Sequence, residues 1–85
     1  MAVELLYFSW VREAIGTGSE TLDLPADLAT VADLIDWLAT RSDGHARAFA
    51  DRGRLRAAVD QLFVGLDVPL GIPREVAIFP PVTGG

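Results

Sequence analysis

Residues 75–85 of the chain read EVAIFPPVTGG, an apolar run followed by two prolines and a closing pair of glycines. Apolar runs of about four to eight residues bounded by turn residues are typical of buried strands. Proline holds φ near about −65° and has no N–H to donate, so the strand must end at Pro80. The sequence therefore predicts a last strand over residues 75–79 that lies inside a sheet.

Beyond this strand the chain is expected to leave the domain as a stiff and narrow tail. Pro80 and Pro81 favour an extended path without internal hydrogen bonds. Gly84 and Gly85 have no Cβ and can enter a space too narrow for any other residue. We predict one domain over residues 1–81 and a flexible C-terminal Gly-Gly tail over residues 82–85.

The remaining strands are indicated by apolar periodicity. Residues 3–8 are apolar and aromatic on both alternating faces, which favours an interior strand. Residues 20–24 alternate polar and apolar side chains and stop at Pro25, as in a half-exposed strand that pairs with the first as a hairpin. A third strand is predicted over residues 55–60, and a turn into a short fourth strand over residues 61–65.

The main helix has a clear start. Thr30 suits an N-cap, and Asp33 lies in the first turn, where a negative charge favours the helix dipole. Apolar residues recur at i, i+3, i+4 and i+7, so one face of this helix must cover the sheet. Gly44 is predicted to end this helical segment by adopting a left-handed backbone conformation. The apolar positions are Val31, Leu34, Ile35 and Leu38.

Two shorter helical segments flank the main one. Residues 9–15 have a helical pattern with Ser9 as the expected N-cap, and the glycines that follow predict a turn. Residues 45–53 are expected to form a second short helix with Phe49 turned inward. His45, the only histidine, is expected to be a solvated residue at the start of that helix, since no second histidine, cysteine or acidic cluster accompanies it.

The order of elements predicts an α+β fold. The first and last strands are the most apolar, so we place them side by side and parallel in the middle of a mixed sheet. A parallel pair requires a crossover, which the helical segment provides. The expected architecture is a ubiquitin-like β-grasp, with a mixed sheet and one main helix across it.

Composition limits the function. The 85 residues suffice for one domain with a small core. The seven basic residues are all Arg, and twelve acids give a net charge of −5, which argues against nucleic acid or an anionic membrane as a partner. No signal peptide and no apolar run of about 20 residues are visible, so the cytoplasm is the expected location.

Few residues are candidates for chemistry. The chain has no cysteine, and neither a nucleophilic triad nor a metal cluster can be assembled, so no metal is expected. The carboxylate of Gly85 is the one unusual reactive group. Four arginines at positions 47, 52, 54 and 56 form a local basic stretch, which is either a solvated face or a docking patch for an acidic partner.

These motifs resemble the ubiquitin-like sulfur carriers, the family that includes the small subunit of molybdopterin synthase. The similarity runs nearly from end to end, and its most specific part is the stretch 75–85. The other residues that carry it are Leu6-Tyr7-Phe8, Val11-Arg12-Glu13, Gly16, Thr30-Val31, Leu34, Ala58-Val59-Asp60-Gln61, Asp67, Pro69 and Leu70.

The resemblance implies a carrier that acts as a protein cosubstrate and is not catalytic alone. Gly85 would be adenylated by an E1-like enzyme that uses ATP, and then converted to a thiocarboxylate with sulfur from a persulfide donor. The carrier itself would bind no cofactor. It would join the large subunit of molybdopterin synthase in a heterotetramer and donate sulfur to cyclic pyranopterin monophosphate, which forms the dithiolene of molybdopterin. The implied partner-binding residues are Gly84, Thr83, Val82, Pro81, Pro80, Phe79 and Arg12.

Two positions depart from the family pattern. Asp60 stands where Asn is usual, and Ile-Pro-Arg at residues 72–74 replaces a typical Asp-Gly-Asp turn. Proline cannot adopt the positive φ that glycine permits, so this turn must be built differently. Two other functions stay open, namely a sulfur carrier for thiamine, cysteine or another pathway, and a β-grasp interaction or modifier module without a sulfur role.

Overall fold

A computed structural model describes residues 2–81. The strands are β1 (Ala2–Tyr7), β2 (Ser19–Asp23), β3 (Arg56–Val59), β4 (Leu62–Val64) and β5 (Glu75–Phe79), and the helices are α1 (Ser9–Ile15), α2 (Val31–Ala39) and α3 (Asp43–Ala48). A short 3-10 turn over Arg52–Arg54 precedes β3. The predicted elements are therefore all present, with ends that shift by a few residues.

The strands form one mixed sheet in the order β2-β1-β5-β3-β4. β1 and β5 are parallel neighbours, whereas β2 runs antiparallel to β1, and β3 antiparallel to both β5 and β4. The predicted central parallel pair and the first hairpin are confirmed. Because β5 lies in the middle of the sheet, the chain leaves the domain from its centre and not from an edge.

The core lies between one face of this sheet and the helices. Side chains in a strand alternate between faces, and the inward positions of β1 and β5 are fully buried or nearly so, including Leu5, Tyr7, Val76 and Ile78. The four apolar residues predicted for α2 are all buried against them. The α+β prediction, with one main helix across a mixed sheet, is confirmed.

The start of α2 is fixed by a capping box. Thr30 Oγ1 accepts a hydrogen bond from the Asp33 N–H at 3.1 Å, and Asp33 Oδ2 accepts one from the Thr30 N–H at 3.1 Å. Two donors that the first helical turn cannot satisfy internally are paired in this way. The predicted N-cap is confirmed.

Two predicted helix ends were wrong. Ser9 is the first residue of α1 and not its cap; Phe8 holds the cap position, without a side-chain hydrogen bond. Gly44 does not end a helix, because α2 stops at Ala39 with a right-handed cap at Thr40, and Gly44 lies inside α3. A Cβ at position 44 would come 2.3 Å from the carbonyl oxygen of Ala14, so glycine permits α1 and α3 to approach closely.

The two departures from the family pattern meet at the start of β5. Asp60 and Gln61 both have positive φ, 49° and 71°, as the two-residue turn between β3 and β4 requires. Asp60 Oδ1 accepts hydrogen bonds from the N–H groups of Arg74 and Glu75 at 2.9 and 3.1 Å. Aspartate offers the acceptor oxygen that asparagine would offer, so the turn still fastens the first residues of β5.

The unusual turn before β5 obtains its positive φ from a different residue. Gly71 has φ +65°, one position before the Ile-Pro-Arg segment, and Pro73 is buried. Gly71, which lies outside the altered triplet, adopts the conformation that Pro73 cannot, and the expectation that the turn is built differently from the family's stays a prediction.

Truncation of Leu34 should lower the stability of the domain. Leu34 is fully buried on the sheet-facing side of α2. We expect Leu34→Ala to lower the free energy of unfolding by about 2–5 kcal/mol, because it removes buried methyl groups and leaves a cavity. Urea denaturation followed by circular dichroism measures this loss. Ala32→Gly, at a half-buried position of the same helix, should cost only about 1 kcal/mol, and equal midpoints for wild type and Leu34→Ala would contradict the predicted burial.

Candidate docking face and tail exit

The face of the sheet opposite the core carries a row of apolar side chains. Leu6 is in register with Ala77, Ala77 with Ala58, and Ala58 with Phe63. Strand residues directly opposite one another share a face, so these four side chains lie side by side across β1, β5, β3 and β4. We call this surface the open face and define it by Leu6, Phe8, Ala58, Phe63, Ala77 and Phe79.

A groove of about 660 Å³ follows the open face. The groove runs over the small side chains of the alanines at positions 58 and 77, and aromatic rings border it. The rings of Phe63 and Phe79 pack with centroids 5.8 Å apart, while Phe8 is 49% exposed and Phe63 is 85% exposed. Contiguous exposed apolar side chains of this kind mark interaction surfaces.

The chain leaves the sheet at one end of this groove. Phe79, Pro80 and Pro81 all contribute to its lining, so three of the implied partner-binding residues are brought together. The other four implied tail residues lie outside the described part of the chain, and the predicted boundary at residue 81 and the predicted flexible tail stay predictions. These four residues are Val82, Thr83, Gly84 and Gly85.

Arg12 lies elsewhere. It is an exposed residue of α1, and its guanidinium group packs beside Gly18, where a Cβ would lie 3.4 Å from Arg12 Nε. Arg12 does not line the groove. Its implied role in binding a partner therefore stays a prediction that the geometry of the open face does not support.

His45 is not the solvated residue that was predicted. It is 7% exposed and joins a chain of hydrogen-bonded polar groups between the sheet and α3. The Nε2–H of His45 and the hydroxyl of Tyr7 both donate to Glu20 Oε2, each at 2.7 Å, and Nδ1 of His45 lies 2.7 Å from Ser42 Oγ. This network ties β1, β2 and α3 together. It is internally satisfied and faces the core side of the sheet, so it is structural.

Burial and hydrogen bonding shift the pKa of Glu20 in opposite directions. Partial burial disfavours its charge, but the hydrogen bonds from His45 and Tyr7 outweigh this effect and hold the pKa of Glu20 below its ordinary value. Burial, followed by the hydrogen bond to Glu20, raises the pKa of Tyr7 far above its ordinary range. Tyr7 therefore stays a neutral donor and Glu20 a charged acceptor at neutral pH.

The lowered pKa of Glu20 predicts an acid-sensitive contribution to stability. A carboxyl whose pKa is lower in the folded state stabilises the fold above its unfolded pKa of about 4.3, and this contribution is lost as the pH falls through the folded pKa. We expect Glu20→Gln to lower the melting temperature at pH 7 and to flatten its decline below about pH 4.5. Melting curves from about pH 7 to 3 measure both effects.

Glu13→Gln, at an exposed position of α1, is the matched control and should leave the pH profile unchanged. If Glu20→Gln retained the wild-type decline at acid pH, the acid sensitivity would come from other carboxyl groups.

The arginines of the basic stretch occupy different environments. Arg52 donates from Nε to the carbonyl of Phe49 and forms an ion pair with Asp36. Arg54 lies over the ring of Trp10, 5.1 Å from its centroid. Arg56 donates to the carbonyls of the residues at positions 53 and 55. The predicted stretch is thus divided between a solvated ion pair on the helix layer and two arginines near the start of β3.

Over residues 2–81, no group of three or more potential metal ligands comes together. Within the same range, no helix is both long and apolar enough to cross a bilayer. The expected cytoplasmic location stays a prediction.

Comparisons with known proteins agree with this geometry. Residues 5–85 match the model of the ThiS family. The chain is 46% identical over 83 residues to the molybdopterin synthase sulfur carrier subunit of Escherichia coli (strain K12), and the match covers 98% of this chain and 99% of the relative. A human protein of the same name is 34% identical over 86 residues, with 98% and 93% of the two chains covered.

A solved structure has the same architecture. The putative molybdopterin converting factor, subunit 1, from Pyrococcus furiosus superposes with a TM-score of 0.72 at 28% identity, over 96% of this chain and 99% of that one. The mixed sheet, the helix across it and the open face define a small ubiquitin-like protein. The chain belongs to the ThiS family, and the family resemblance of its sequence is confirmed.

Proposed function

We propose that this chain is the sulfur carrier subunit of a molybdopterin synthase. The observation that carries the proposal is the position of the tail exit: β5 is central in the sheet, and Phe79, Pro80 and Pro81 line the groove of the open face. A partner seated on this face would receive the tail directly. The full-length similarity to carrier subunits of that name supports the assignment.

The chemistry is proposed to occur at the carboxylate of Gly85. An E1-like enzyme would use ATP to form an acyl adenylate, which turns the carboxylate oxygen into a good leaving group. The outer sulfur of a persulfide donor would displace AMP and form an acyl disulfide with the donor. A thiol reductant would then cleave the S–S bond, which releases the carrier as the thiocarboxylate and leaves the oxidised sulfur of the reductant in a disulfide. Because the chain has no cysteine, this sulfur has to come from outside. No metal or cofactor on the carrier takes part, and ATP is consumed by the activating partner.

The second step is proposed to take place in a complex with the large subunit of the synthase. The thiocarboxylate would donate its sulfur to cyclic pyranopterin monophosphate, as part of the formation of the dithiolene of molybdopterin. Residues 82–85 follow the last described one, and a fully extended segment of that length spans at most about 14 Å. The body of the carrier must therefore dock close to the partner's active site.

The open face is proposed to serve both partners in turn. The E1-like enzyme and the large subunit both need the tail, and the tail leaves from a single groove. The exposed aromatic rings of Phe8 and Phe63 would be desolvated in each complex and supply most of the affinity. Binding of the two partners is then mutually exclusive, so the carrier has to dissociate from the activating enzyme before it can deliver sulfur.

Intact mass spectrometry tests the proposal. The chain is incubated with the E1-like enzyme, Mg-ATP, a persulfide donor and a thiol reductant, next to a variant that lacks Gly85. We expect the mass increase for replacement of oxygen by sulfur in the full-length chain only. If an enzyme that is active on another carrier left this chain unchanged, the proposed sulfur chemistry would be wrong.

Complementation separates the molybdopterin pathway from thiamine or cysteine synthesis. Expression in a strain that lacks the molybdopterin synthase small subunit should restore molybdoenzyme activity, whereas the Gly85-deleted variant should not. A chain that becomes a thiocarboxylate in vitro but fails to complement would be a sulfur carrier for another pathway.

A further inference from the structure

The end of the sheet from which the tail leaves carries two arginines beside the open face. β1 and β5 are parallel and end there, and β3, which is antiparallel to β5, begins there with Arg56 in register with Phe79. Arg56 lines a second groove together with Phe63, Phe79 and Pro81. A guanidinium group therefore lies directly beside the exit of the tail.

Arg54 extends this positive surface. It lies two residues before Arg56, on the 3-10 turn that leads into β3, and its guanidinium stacks over the ring of Trp10 at 5.1 Å. Trp10 follows Phe8 and Ser9, which line the groove of the open face. We call Arg54 and Arg56 the exit arginines; Arg56 lines the groove beside the tail exit, and Arg54 packs on the residue that follows the groove-lining Phe8 and Ser9.

The exit arginines are exposed, and neither of them pairs with a carboxylate of residues 2–81. Both side chains face solvent, and over residues 2–81 the ion pairs are those of His45 with Glu20 and of Arg52 with Asp36. Stacking orients Arg54, and backbone carbonyls at 2.8 and 3.2 Å orient Arg56. These carbonyl and aromatic partners carry no negative charge, so both guanidinium groups stay outside the ion pairs of the described residues.

The positive charge of the exit arginines contrasts with the negative net charge of the whole chain. With a net charge of −5, the chain as a whole repels an acidic protein, yet the tail exit carries two cations that no carboxylate among residues 2–81 pairs with. A charged rim around an apolar centre steers encounter and fixes the orientation of a complex more than it adds affinity. Uncompensated guanidinium groups complement carboxylates, which they bind in a bidentate geometry.

We propose that the exit arginines recognise a cluster of Asp or Glu side chains on the protein that receives the tail. This inference rests on the proposed function, because it assigns the chemistry of the partner surface at the rim of the open face. The acidic cluster would meet Arg54 and Arg56 when the aromatic rings of the open face dock. It would thereby set the rotation of the carrier about its tail and aim the terminus into the active site.

Binding kinetics at different salt concentrations test the proposal. The probe is the large subunit of molybdopterin synthase from the same organism, measured by surface plasmon resonance at about 50 and 200 mM NaCl. We expect the double variant Arg54→Gln, Arg56→Gln to lose about tenfold in association rate at the lower salt concentration. Its affinity should also depend much less on salt than that of the wild type.

The helix layer offers a matched control. Arg41 lies over the ring of Trp37 at 5.2 Å, as Arg54 does over Trp10, and Arg47 is an exposed residue of α3. Arg41→Gln, Arg47→Gln makes the same change in net charge away from the tail exit, and its association rate should stay within about twofold of wild type. If the control lost as much as the exit variant, net charge and not a local contact would explain the effect.

Two further arms complete the test. The double variant Arg54→Lys, Arg56→Lys keeps both positive charges and should retain the wild-type salt dependence of binding. It serves as the control if the Gln variant has a lower melting temperature because it lost the stacking and the carbonyl hydrogen bonds. Titration of the free chain with Mg-ATP tests whether the same arginines bind phosphate instead. Saturable ATP binding that the Gln variant loses would assign the exit arginines to a nucleotide and overturn the proposal.

The outcomes separate this inference from the proposed function. If wild type binds the large subunit and the Gln variant has the same association rate and salt dependence, the exit arginines have no acidic partner, and the sulfur carrier function is unaffected. If wild type does not bind the large subunit at either salt concentration, the proposed function fails and this inference fails with it.

Discussion

One alanine added after Gly85 is expected to abolish sulfur transfer while the domain keeps its fold. An extra residue moves the terminal carboxylate by about 3.5 Å, so the group to be activated no longer reaches the reacting position on the partner. Misplacement by about 1 Å can already cost roughly a hundredfold in rate. We expect thiocarboxylate formation, measured by intact mass, to fall below about 1% of wild type.

The opposite terminus provides the control. β1 begins at Ala2, at the end of the sheet away from the tail exit, so one alanine added before Met1 changes the mass equally without touching the tail. This variant should form the thiocarboxylate at the wild-type rate, and both variants should melt at the wild-type temperature. Full activity of the chain extended after Gly85 would mean that Gly85 is not the group that carries sulfur.

The sequence predicted most of the fold because the relevant signals are local. The helical spacing of Val31, Leu34, Ile35 and Leu38 lies within one short segment, and the prolines mark the end of β5 directly. The order of the sheet followed from one further step, since the two most apolar strands had to be the central ones, with another strand along each edge. None of these inferences requires knowledge of contacts between distant parts of the chain.

The burial of His45 depends on such a contact and was therefore missed. Its partner Glu20 lies 25 residues away, on the half-exposed strand β2, where an acidic residue looks like ordinary surface. Only after β2 pairs with β1 and α3 packs beside them do Glu20, His45 and Tyr7 meet. A lone histidine in sequence has no visible partner, although Ser42 three residues earlier was a local sign of a helix cap.

Phe63 was missed as a site residue for a similar reason. The sequence predicted a short fourth strand around it, but the face that a strand residue occupies depends on the register. The register is set by the turn at Asp60 and Gln61, both of which have positive φ. The two-residue turn puts Phe63 in register with Ala58, so the ring of Phe63 lies on the open face. The tail of the candidate site could thus be predicted from the sequence, whereas the position of the Phe63 ring on the open face could not.

Phe63→Asp is expected to abolish the binding of both proposed partners. Phe63 is 85% exposed, so its ring contributes little to the fold, but its packing against Phe79 places it at the tail exit. In a complex, a carboxylate at this position would lose its hydration and would replace an aromatic ring in an apolar contact. Loss of an aromatic anchor costs about 2–4 kcal/mol, which corresponds to a roughly thirtyfold to thousandfold higher Kd, and desolvation of the new carboxylate adds to that cost.

Ile72 offers the matched control for this substitution. It is 80% exposed and lies in the loop before β5, outside the groove of the open face. Ile72→Asp introduces the same charge at a similarly exposed apolar residue, so it should leave the Kd of both partners within about twofold. Isothermal titration with the large subunit and with the E1-like enzyme measures both affinities.

The pattern across the two partners decides whether the face is shared. If Phe63→Asp lost the large subunit but retained the E1-like enzyme, each partner would use its own surface, and the two could bind at once. If it lost neither, the open face would not be the docking site. Loss of both, with a wild-type melting temperature, is the result we expect, because a single tail leaves from a single groove and whichever partner takes the tail must cover Phe63.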